Sequence, residues 1–137
     1  MIDNLINLLK QQNVGRNIGI SPSKLSLANI RLKQNYLPSM PDEFAKLLQF
    51  YNGLSNNGSL IFGAEIESTM FTDIIKYNKA FFRGATSTWI VLGYDESFYL
   101  TFDNSKKQYK IVDKDTFEPE VVSDHIEEPI SFLLRID

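Results

Sequence analysis

The hydrophobic period of this chain changes near Ser87, and that change limits what it can fold into. Before it, apolar residues recur at helical spacing: Ile2, Leu5, Ile6 and Leu9 stand at i, i+3, i+4 and i+7, the pattern of one buried helical face. After it they alternate. Trp89, Val91 and Gly93 interleave with Ile90, Leu92 and Tyr94; Phe98, Leu100 and Phe102 interleave with Tyr99, Thr101 and Asp103; Tyr109 and Ile111 interleave with Lys110 and Val112. The polar turns Asp95-Glu96 and Asn104-Ser105-Lys106-Lys107 separate these runs, which admits antiparallel hairpins and is too short for the crossovers of a parallel sheet. A further strand near 120–122 completes a meander.

The helical part divides at its glycines and prolines. The first helix ends in the loop 13–19, and Ser21-Pro22-Ser23 supplies a cap for a second helix over about 23–34, lined by Leu25, Ala28 and Leu32. Pro38 and Pro41 break the chain again. Ser39 then caps a third helix with Asp42 in its first turn and Phe44, Leu47, Leu48 and Tyr51 on its buried face. Asn52-Gly53 stops it, with Gly53 in the left-handed position past the helix end. The stretch 54–59 reads as a polar turn and Leu60-Ile61-Phe62 as a short strand; Thr72-Asp73 caps a fourth helix in which Ile74, Ile75 and Asn78 share a face. Pro129, preceded by Glu127 and Glu128, starts a closing helix striped by Ile130, Leu133 and Leu134. The expected architecture is a single α+β domain over 1–137, with N-terminal helices packed on a mainly antiparallel meander and a C-terminal helix.

Reactive chemistry is sparse. With no cysteine and one histidine, thiolate nucleophiles and cysteine-ligated zinc are excluded. Ser123 and Asp124 adjoin His125 in sequence, but neighbours in a chain rarely face one another, so they do not make a triad and His125 is expected at the surface. Asp113-Lys114-Asp115 begins like a calcium loop yet has Glu118 where the sharp turn needs glycine. No glycine is followed by the Lys-Ser or Lys-Thr of a phosphate cradle, and Lys24, Arg31 and Lys33 are too few to hold a nucleic acid. No enzyme activity, cofactor or metal is expected, and neither nucleic acid nor membrane is expected as a partner. The start of the chain lacks the basic and apolar stretches of a signal peptide, and the longest apolar run, Trp89-Ile90-Val91-Leu92, falls far short of a membrane span; the expected location is the cytoplasm.

Leu37-Pro38, Phe44, Leu48 and Asn52-Gly53, followed by Asn78, by Val91-Leu92-Gly93 with Tyr99 and by the closing apolar helix, resemble the SUKH superfamily in type and order. The stretch 20–36 is similar to the helix that precedes the Leu-Pro pair in one subgroup, whereas 64–71 carries no family pattern. The resemblance implies an α+β fold in which Leu37, Pro38, Phe44, Leu48, Asn52, Gly53, Asn78 and Gly93 are structural. It also implies a bacterial immunity protein, which neutralises a toxin by binding it, or else a regulatory or scaffolding domain in cell-wall or stress signalling.

Charge points to where such a partner sits. Residues 1–58 hold six bases against three acids, and residues 59–137 hold eight bases against fourteen acids. The densest part is Asp113, Asp115, Glu118, Glu120, Asp124, Glu127 and Glu128, with Lys114 the only lysine or arginine among them. A nuclease-type toxin must be basic to hold its substrate, and this segment is the expected surface for a basic toxin domain.

Overall fold

In the computed structural model, which describes residues 2–12, 18–65, 72–83 and 85–136, three helices come first: α1 (Ile2–Gln11), α2 (Pro22–Gln34) and α3 (Asp42–Phe50). Strands β1 (Leu54–Asn56) and β2 (Ser59–Ile61) follow, then α4 (Ile74–Phe82), β3 (Trp89–Tyr94), β4 (Phe98–Asp103), β5 (Gln108–Asp113), β6 (Pro119–Ser123) and the closing α5 (Glu127–Leu134). All six strands join one sheet in chain order, every pair antiparallel. This is an α+β domain, as the change of period predicts. The expected loop at 13–17 and the patternless 66–71 lie outside the described residues.

Alternation assigns the sheet's two faces. Ile90, Leu100, Phe102, Tyr109 and Ile111 share one face and are buried. That face carries α5, whose Phe132 meets Phe98 edge-on at 5.6 Å, and α1 packs against both α3 and α5. The opposite face carries Trp89, Val91, Tyr94, Tyr99, Thr101 and Val112; α4 covers it over β3, and its Phe81 reaches Tyr99 of β4 at 5.3 Å.

Several local expectations are corrected. The stretch 54–59 is a hairpin rather than a plain turn: Leu54, Ser55 and Asn56 pair with Ile61, Leu60 and Ser59, and only Asn57-Gly58 turns, both at positive φ (52° and 82°). Asn-Gly is the sequence signal for this two-residue turn. Helix α3 is not capped by Ser39; its N-cap is Pro41, which makes no side-chain cap. Leu37-Pro38 ends α2. Tyr36 takes the left-handed conformation, Leu37 N–H donates to Leu32 O and Tyr36 N–H to Lys33 O, so buried Leu37 closes a Schellman motif on Leu32 and Pro38 prevents continuation. Helix α5 begins two residues before Pro129, putting Glu127 and Glu128 in its first turn. The cap at Asp73 forms as expected, its carboxylate accepting from the amides of Ile75 and Lys76.

Gly53 is not the residue that ends α3, because the C-cap is Tyr51 in an extended conformation. Its positive φ of 100° serves the turn into β1, where a Cβ would lie 3.2 Å from the Gly63 nitrogen and 3.4 Å from the Ile61 carbonyl oxygen. Gly53→Val is therefore expected to lower stability by about 1–3 kcal/mol, and Gly53→Asn by less, since asparagine tolerates positive φ better than a β-branched residue. Thermal unfolding of the two variants checks this; equal midpoints would mean that the turn relaxes. Gly93 is needed for space instead. The ladder slips between Val91 and Gly93, and a Cβ at Gly93 would run into the Leu60 carbonyl.

Candidate partner-binding surface

Two motif asparagines pair with the backbone of another segment through their side chains. Strand β2 reaches only Gly93 and Tyr94 of β3, which leaves the edge of β3 at Val91 without a strand partner. Asn78, fully buried in α4, fills that place: Val91 N–H donates to its Oδ1 and its Nδ2 donates to Val91 O, both at 2.8 Å, with a further bond to Ile74 O. Asn52 does the same for Ala64, accepting from its N–H at 2.8 Å and donating to its carbonyl at 2.9 Å. A primary amide presents one donor and one acceptor side by side, so it substitutes for one residue of a neighbouring strand. Phe44 and Leu48 are fully buried. These motif residues hold the fold, and none faces solvent with reactive chemistry.

The seven acidic residues separate into groups. Asp113, at the end of β5, spends Oδ1 on the amides of Asp115 (2.8 Å) and Thr116 (3.0 Å), and these bonds, that of Thr116 foremost, hold its carboxyl below the usual range. Asp115, Glu118 and Glu120 are exposed around the β5–β6 turn and the edge strand β6. Asp124 and Glu128 are exposed past the far end of β6; Glu127, the first residue of α5, has one carboxylate oxygen buried. The segment is thus not one surface. Charged Glu120 and Pro119 on β6 also suit a sheet edge that must not recruit another strand.

What sequence reasoning missed stands between those acids. Phe117 is 48% exposed and holds φ of 61°, a conformation costing a bulky residue about 1–3 kcal/mol. Its N–H donates to Asp113 O (2.9 Å) and Asp113 N–H donates to Glu118 O (3.0 Å), so the turn fixes it. Its ring stacks on Tyr99 (centroids 6.1 Å) and meets Trp89 edge-on (6.3 Å) across the half-covered face. Trp89 is braced by Phe81 and Phe82 of α4 at 5.7 and 4.9 Å. Beneath Phe117 lies a half-open groove of about 300 Å³, lined by Trp89, Thr101, Asp103, Lys110, Val112 and Phe117. Asp103 is held low in pKa first by the Ser105 hydroxyl, which donates to it at 2.7 Å, and less so by Lys110. Lys114 lies over Tyr94 and Tyr99, 4.8 and 5.3 Å from their centroids. A turn aromatic inside an acidic hairpin was the available signal.

His125 lies away from this groove. Its side chain is half exposed with Nδ1 3.7 Å from Glu43 Oε2, and the Ser123 hydroxyl accepts from the His125 backbone amide rather than facing its ring. Among the described residues no group of three or more His, Asp or Glu is placed to hold a metal ion, and no helix is long and apolar enough to cross a membrane. No protein-family model matches the chain, and no curated protein matches it.

Proposed function

We propose that this chain is a non-enzymatic protein-binding module, an immunity protein of the SUKH kind that neutralises a basic toxin domain in the cytoplasm. The observation that carries this reading is Phe117: a half-exposed aromatic, kept at positive φ by its turn, with the exposed Asp115, Glu118 and Glu120 within three residues of it in the chain. Aromatic anchors inside a polar rim are the usual anatomy of a binding hot spot. A like-charged rim steers a basic partner and acts chiefly on its association rate, an effect that salt screens over about 10 Å at 0.1 M.

The test uses the toxin domain encoded beside this chain's gene. The triple change Asp115→Lys, Glu118→Lys, Glu120→Lys is expected to slow association about tenfold or more at low salt and to flatten its salt dependence, with the urea midpoint little changed. Asp124→Lys with Glu128→Lys, at the far end of β6, is expected to do less. A folded triple variant that associates as fast as the native chain at every salt concentration would place the interface elsewhere. A gene with no toxin domain beside it, and no complex on co-expression with its neighbours, would overturn the immunity role.

A further inference from the structure

We propose that the groove under Phe117 is a socket for one arginine side chain of the partner, its guanidinium stacked on Trp89 and paired with the Asp103 carboxylate. The proposal rests on the protein-binding reading above and names what the partner must present. The groove's size, about 300 Å³, lies at the lower bound of small-molecule pockets, and it is half open, which suits a single inserted side chain. Its aromatic walls are set before any partner arrives: Phe81 and Phe82 brace Trp89, and the Asp113 turn fixes Phe117. The same face already holds one cation over its rings, Lys114 on Tyr94 and Tyr99.

The carboxylate is equally prepared. Asp103 Oδ1 accepts from the Ser105 amide (2.9 Å), the Ser105 hydroxyl (2.7 Å) and the Lys106 amide (3.3 Å), which keeps the group ionised and oriented. No hydrogen bond among the described residues engages its Oδ2. Lys110 also lines the groove and acts on Asp103 only through its charge, so its ammonium opposes an arriving guanidinium. Arginine fits better than lysine. Its planar fork stacks on an indole and reaches both oxygens of a carboxylate, which a compact ammonium does not do. The exposed Asp115, Glu118 and Glu120 supply the complementary field outside the socket.

Trp89 is the only tryptophan, so its emission reports on the groove directly. Acetylated and amidated Lys-Arg-Lys, Lys-Lys-Lys and Lys-citrulline-Lys are titrated into the full chain at low ionic strength. The expected result is a saturable change in Trp89 emission with Lys-Arg-Lys, about tenfold weaker with the other two peptides, about tenfold weaker again for Asp103→Asn, and tighter for Lys110→Met. Urea midpoints establish that both variants are folded. Equal responses to arginine and citrulline, an unaltered response in folded Asp103→Asn, or no saturable response in either the native chain or Lys110→Met would overturn the socket. A saturating arginine peptide together with a toxin that ignores the acidic rim would instead overturn the rim reading, so the two failures are distinguishable.

Discussion

Asn78→Ala is expected to lower unfolding free energy by about 2–5 kcal/mol, a large share of the roughly 5–15 kcal/mol that keeps a domain folded. The side chain is fully buried, and its amide satisfies both Val91 N–H and Val91 O at 2.8 Å. Alanine leaves that buried donor and acceptor without partners, each costing about 1–3 kcal/mol, and also removes the bond to Ile74 O. Asn78→Asp is expected to be no better: it keeps an acceptor for Val91 N–H but turns a carboxylate toward two carbonyl oxygens. Urea unfolding with an unchanged m-value is the measurement. A loss below about 1 kcal/mol for Asn78→Ala would mean that water takes the amide's place and that α4 is not pinned to β3 this way.

The second large effect is expected from the face of α3. Phe44→Ala should cost about 3–5 kcal/mol and Leu48→Ala about 2–5 kcal/mol, the transfer term of the lost atoms plus the cavity left behind. Both side chains are fully buried, and α3 packs on α1. The Leu48 carbonyl also accepts from Ile20 N–H at 2.9 Å, so the backbone there is held from two sides and collapses poorly into a void. Phe44→Leu, which keeps most of the volume, should cost under half as much as Phe44→Ala. Unchanged urea midpoints for the alanine variants would show this face to be exposed.

Local patterns were legible. Spacing at i, i+3 and i+4 placed α1, α2 and α3, and alternation placed β3, β4 and β5, because the direction of each Cβ follows from backbone geometry alone. The same patterns placed Phe44 and Leu48 indoors, and Asn78 on one face with Ile74 and Ile75. Errors fell where two chemistries compete over a few residues. Ser39 has capping chemistry but is followed by Pro41, which takes the cap position with its preset φ, and Tyr36 replaces the glycine that would have announced the end of α2. Asn57-Gly58 was readable as a hairpin turn and passed for part of a polar loop.

The candidate surface divides in the same manner. Composition and charge order were enough to mark the acids of 113–128, and with them a preference for a basic partner, since net charge does not depend on the fold. Which of those acids face solvent together was decided by the turn, which spends Asp113 on its own backbone, and by the length of β6, which separates Glu118 from Asp124. Asn52 meets Ala64 and Asn78 meets Val91 across 12 and 13 residues, and Phe117 of the β5–β6 turn comes to rest on Trp89 of β3. Periodicity states which way a side chain points from its own element; it does not state what the neighbouring element places there. The sequence by itself determined the longer elements, their core faces and the sign of the surface. Only the tertiary structure, through strand register and the covering of half a sheet face by α4, decided that an aromatic groove with Asp103 in its wall stays open beneath Phe117.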